Sequence, residues 1–119
     1  MRETGKIDYV ELPAKGAVAA CKRFYGEAFG WDFTDYGDAY SAFEGAGVDG
    51  GLNGEPDGPG GLEAPLVVLY AHDLEAMEAT VRAAGASIVA PIFAFPGGRR
   101  FHFEDPAGNV LAVWTAAEG

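Results

Sequence analysis

The sequence predicts an α+β fold made of two βαβββ modules, and three observations carry that prediction. Strand and helix periodicities follow in the order strand, helix, three strands, and the same order returns in the second half of the chain. The spacing agrees: Glu11 to Gly30 spans 19 residues and Val68 to Gly85 spans 17. Between the halves, residues 50–65 hold six glycines and three prolines with little that could pack, which reads as a break. Module one then covers about 5–53, a linker about 54–64 and module two about 65–117 of a single 119-residue domain. Each module has a helix on one sheet face only. With the helices outside, the bare faces enclose a cavity, closed by the other module or by a second subunit.

Each element has its own signal. Lys6–Leu12 alternates as a strand, with Ile7, Tyr9 and Glu11 on one face and Asp8, Val10 and Leu12 on the other, and Pro13 ends it. Ala17–Phe29 is the first helix. Val18, Cys21, Tyr25 and Ala28 recur at helical spacing, Phe24 and Phe29 widen the stripe, and Gly30 supplies the left-handed stop. Trp31–Thr34, Ala39–Glu44 and Val48–Leu52 read as three short strands separated by Gly- and Asp-bearing turns. Leu66–Ala71 is a β-rich run. Asp73 caps a second helix to about Ala84, with Leu74, Met77, Val81 and Ala84 as its stripe and Gly85 as its stop. Ser87–Phe95 is a strand interrupted at Pro91, hence an edge or bulged strand. Arg99–Glu104 and Val110–Thr115 close the chain as a hairpin around Asp105-Pro106-Ala107-Gly108-Asn109.

Composition narrows the function. A net charge of −10 opposes nucleic-acid and anionic-membrane partners, which need basic patches. No apolar run reaches the length of a bilayer span, the N-terminal stretch lacks the pattern of a signal peptide, and Cys21 has no disulfide partner. A cytoplasmic location is the expectation. After Arg23 the only basic residues are Arg82, Arg99 and Arg100, so positive potential gathers in the hairpin.

Period two splits that hairpin. Arg99, Phe101 and Phe103, with Leu111 and Val113, face the core; Arg100 and His102, with Val110, Ala112 and Trp114, face another, more polar space. The glycine pairs at 50–51, 60–61 and 97–98 match no phosphate loop and read as loop or bulge residues, with Gly97-Gly98 a place where backbone could approach a ligand.

Two motifs add a resemblance. Phe24-Tyr25-Gly26-Glu27-Ala28-Phe29-Gly30-Trp31 and the Asp-Pro-Ala-Gly-Asn turn resemble the first-helix signature and last hairpin of the vicinal oxygen chelate superfamily, which includes glyoxalase I, bleomycin-resistance proteins and extradiol dioxygenases. The stretch ending in Trp114 is similar to bacterial proteins labelled glyoxalase-like or lactoylglutathione-lyase-related. The resemblance implies a glyoxalase-like fold and a divalent metal held by His and Glu. The three usual ligand positions fall on Tyr9, Leu66 and Ala112. Tyrosine is a rare divalent ligand, and leucine and alanine have no donor, so no metal and no other cofactor is expected. The resemblance also places Arg100 and His102 against substrate.

The expected site is therefore a mixed cavity lined by Tyr9, Glu11, Leu66, Arg100, His102, Ala112 and Trp114, with Tyr40 or a neighbour added from module one. Three readings stay open. The first is a metal-free binder in which Arg100 grips a small anion and Trp114 and Tyr9 offer stacking surface. The second is a glyoxalase-related enzyme with Glu11 or His102 as base, or a displaced ligand set of Glu11, His102 and His72. The third is purely structural: Glu11 and Arg100 pair as buried ions and His102 is a hydrogen-bonded core residue. His72, at a strand-to-helix turn, is expected to face solvent. The partners expected are a small molecule and a second copy of the chain, as a homodimer.

Overall fold

The computed structural model describes residues 2–55 and 64–117. Most of the linker read at 54–64, with the glycine pair at 60–61, lies outside the described residues. Two units divide the chain. One is Tyr9–Leu66, and the other joins Met1–Asp8 to Val67–Gly119.

The Tyr9–Leu66 unit carries β1 (Ile7–Pro13, which begins two residues earlier), α1 (Val18–Phe29), β2 (Asp32–Asp35), β3 (Tyr40–Glu44) and β4 (Gly50–Asn53). The sheet order is β2-β3-β4-β1. β2, β3 and β4 run antiparallel, whereas β1 pairs with β4 in parallel, Glu11 opposite Gly51 and Pro13 opposite Asn53. Gly30 ends α1 at φ 76°, and its N–H donates to the Gly26 carbonyl. Tyr25 stacks on Trp31 at 4.6 Å between ring centroids, and Trp31 packs on Phe43 of β3. This seats the helix on the face that Phe43 shares with Leu52.

Three expectations need correction in this unit. Phe24 and Phe29 do not extend the buried stripe but are 57% and 62% exposed. They meet Tyr25 as an aromatic cluster whose outer side is open. Ala28 is also exposed, Cys21 is only half-buried, and no α1 residue is fully buried. Gly50 and Gly51 lie in β4, as the strand reading of Val48–Leu52 had it and not in the glycine-rich break counted from residue 50. A Cβ on Gly50 would strike the Val10 carbonyl and the Phe43 ring, so glycine there lets β1 and Phe43 close on β4.

The second unit carries β5 (Leu66–Tyr70, its first residue in the other unit), α2 (Leu74–Ala83), β6 (Ser87–Phe95), β7 (Gly98–Glu104) and β8 (Val110–Ala116). The order is β5-β8-β7-β6, with β5 and β8 parallel and the other pairs antiparallel. Asp73 caps α2, its carboxylate accepting from the Ala76 N–H at 3.0 Å. Leu74, Phe101, Val113 and Ala71 form the buried core, with Met77, Val81, Ile88, Ile92 and Phe103 packed around them. Phe101 is fully buried, so Phe101→Ala should cost about 3–5 kcal/mol. Ala84 is not in the stripe, since the helix has already ended and it is the exposed C-cap. The β7–β8 turn is held by Asp105, whose carboxylate accepts from the N–H groups of Ala107 and Asn109, both at 2.9 Å. Among the described residues no helix is long and apolar enough to cross a membrane.

Candidate functional site

Strand register decides what faces what. In β7 and β8, Phe101 lies opposite Val113 and both enter the core beneath α2. Arg99 ion-pairs with Glu75 of α2, which fixes its side as the helix side. Arg100, opposite Trp114, and His102, opposite Ala112, therefore lie on the other face, as alternation predicts.

On that face Arg100 is 7% exposed and His102 8%. The Arg100 guanidinium carbon stands 5.4 Å from the Phe93 ring centre and 5.3 Å from that of Phe95. Two aromatic faces thus hold the cation and limit its rotation. Phe93 also meets His102 edge-on at 5.5 Å. Burial, reinforced by the neighbouring Arg100 charge, pulls the His102 pKa down to about 4, so the ring is neutral at pH 7. Its Nε2 is buried without a hydrogen-bond partner among the described residues. Trp114 is more engaged than a bare stacking surface: its indole N–H donates to Asp8 at 2.9 Å, Arg2 lies 4.9 Å over its ring, and Tyr70 and Phe95 pack on it.

Tyr9 and Glu11 belong to the other unit and form a cluster there. Glu11 is 5% exposed. Its Oε2 accepts from the Tyr40 hydroxyl at 2.9 Å and its Oε1 from Asn53 Nδ2 at 3.0 Å. The Tyr40 hydroxyl also lies 2.7 Å from that of Tyr9. Burial first, then the Glu11 charge, push the Tyr40 pKa far above its ordinary value. The Tyr9 pKa is raised chiefly by burial. Gly51 makes the cluster possible, because a Cβ there would run into the Tyr40 ring and hydroxyl.

Sequence reasoning missed Asn53, Phe93 and Phe95. Asn53 was discoverable, being two residues from Gly51 on the same strand face and opposite Tyr40. The phenylalanines were not, because irregular register on either side of Pro91 breaks the alternation of β6. Gly98 also has a different task from the one expected. The space its missing Cβ leaves is taken by the Thr115 carbonyl of β8. A groove of about 440 Å³ opens nearby between His72, Phe95, Arg99 and Thr115, but Arg100 and His102 do not line it. His72 is exposed at its mouth, as expected.

The Tyr9 oxygen is engaged by Tyr40, while Leu66 and Ala112 are buried hydrocarbon. Among the described residues no three His, Cys, Asp or Glu side chains gather as a metal-binding group. The residues at the implied ligand positions do not fit a divalent metal ion.

Two units, each a four-stranded sheet with one helix in βαβββ order, define a small α+β protein of paired modules. The sequence matches the Glyoxalase/Bleomycin resistance protein/Dioxygenase superfamily over residues 6–113, and the chain belongs to that family, the vicinal oxygen chelate superfamily. No curated protein matches it. Among solved structures it is similar to an NAD-dependent benzaldehyde dehydrogenase from Legionella pneumophila, with TM-score 0.76 and 15% identity over 92% of this chain and 98% of that one. It is similar to the Mn(II)-bound glyoxalase from Novosphingobium aromaticivorans, with TM-score 0.67 and 23% identity, covering 100% of this chain but 42% of that one. The methylmalonyl-CoA epimerase from Mycobacterium tuberculosis gives TM-score 0.68 and 13% identity over 99% and 92% of the two chains. At such identities these likenesses establish the fold.

Proposed function

We propose that this chain binds a small anionic molecule, of the carboxylate or phosphonate type, on the sheet face bearing Arg100 and His102, and that it does so without a catalytic divalent metal. The observation that carries the reading is His102 Nε2, a buried ring nitrogen with no partner among the described residues. Leaving such an atom unmatched costs about 1–3 kcal/mol, which a ligand hydrogen bond would recover. Arg100 supplies the complementary charge. Its planar fork suits a carboxylate or phosphonate, and the two phenylalanine faces hold it in one orientation. Phe93 and Phe95 favour a ligand with apolar or aromatic surface beside its anion. Small-molecule binding accords with the family, and the charge of −10 weighs against nucleic acid as a partner.

The test is a thermal-shift screen of small carboxylates and phosphonates, followed by affinity measurements on variants. Arg100→Met should weaken a hit by about 1.5–3 kcal/mol, the worth of a hydrogen bond to a charged group. Arg99→Met, whose side chain lies on the helix side and pairs with Glu75, should leave binding unchanged. Equal affinity in the native protein and Arg100→Met would overturn the proposal.

A further inference from the structure

The second cluster carries a different conclusion. The Glu11 carboxylate only accepts hydrogen bonds, and Tyr40 donates to it at 2.9 Å. A phenol has one proton, and that bond uses the Tyr40 proton. The 2.7 Å contact between the hydroxyls must then be donation from Tyr9 to Tyr40. Donation spends the Tyr9 proton as well and leaves its oxygen with lone pairs alone. Both phenols are held above their ordinary pKa values, so ionisation does not release the constraint. The chain is therefore one-way, from Tyr9 to Tyr40 to Glu11. Each bond polarises the next toward the carboxylate.

The arrangement is built into the backbone. Gly51 opens the slot for the Tyr40 ring, and Asn53 occupies the other carboxylate oxygen. Tyr9 is half-buried, and Tyr40 is its hydrogen-bond partner among the described residues.

We propose that the Tyr9 hydroxyl is a ligand subsite that accepts an O–H or N–H donor from a small molecule and disfavours groups that only accept. This goes beyond the anion-binding reading, since it involves other residues and a ligand group of opposite hydrogen-bonding sense. Either can fail without the other.

Phenol and anisole are suitable probes, being alike in shape but differing in the donor. Each is titrated into the native protein while the ring resonances of Tyr9 are followed by NMR. Phenol should shift them saturably and bind about three- to tenfold tighter than anisole, the range for one hydrogen bond. This preference runs against hydrophobicity, which favours anisole. Tyr9→Phe should abolish it. Tyr40→Phe frees the Tyr9 proton and should cancel or invert it. Equal or tighter binding of anisole, no response of the Tyr9 resonances to phenol, or a phenol preference that survives either substitution would overturn the proposal. The first two outcomes are read on the native protein and do not depend on a variant folding.

Discussion

Gly51→Ala tests the architecture behind the Glu11 cluster. A methyl at Gly51 would lie 2.5 Å from Tyr40 Cε1 and closer still to its hydroxyl. Ordinary contact needs about 3.5 Å, so the ring must retreat by about 1 Å. A swing of that size breaks the bond from Tyr40 to Glu11. Overpacking costs about 1–3 kcal/mol, and the lost hydrogen bond to a buried carboxylate about 1.5–3 kcal/mol. The stiffer unfolded chain of alanine offsets about 0.4–1 kcal/mol. A net destabilisation of about 2–5 kcal/mol is expected by urea denaturation at unchanged m-value. In a Tyr40→Ala background the obstacle is gone, and Gly51→Ala should become neutral or slightly stabilising. Gly50→Ala is the contrast: its Cβ meets backbone as well as a side chain, so no single truncation should rescue it. Equal costs of Gly51→Ala in both backgrounds would show that the Tyr40 ring is not what the added methyl strikes.

Two further predictions concern pH and assembly. Because the His102 pKa lies near 4 in the folded protein and near 6.5 in the unfolded chain, the unfolded state binds the extra proton first. Stability should therefore fall as pH drops from about 6.5 through 4, and His102→Leu should flatten that part of a denaturation-midpoint profile; an unaltered slope would place the titrating group elsewhere. A homodimer is expected to cover the exposed Phe24 and Phe29 of α1, and a dilution-independent monomer mass by light scattering would rule it out.

What the sequence could convey follows its regularities. Alternation in β7 assigned Arg99 and Arg100 to opposite faces correctly, because that strand pairs with β8 without a break. Gly30 and Asp73 marked helix ends through local backbone chemistry, and both act as read. The same methods gave Phe24 and Phe29 to the core, since periodicity reports a stripe but not how closely the helix approaches its sheet. Gly50 and Gly51 read both as strand and as loop, because glycine marks turns and close strand contacts alike. Alternation put Tyr9 and Glu11 on one face of the first strand, but their linkage through Tyr40 and Asn53 depends on register between strands about 30–40 residues apart in the chain.

The most direct test of metal-free anion recognition is calorimetry of the best carboxylate or phosphonate from the screen, with elemental analysis on the same protein before and after chelator dialysis. No stoichiometric Zn, Mn, Ni or Fe is expected in the undialysed protein, with the same affinity after chelation. One tightly held divalent ion per chain, with binding lost on its removal and restored on its return, would contradict metal-free recognition.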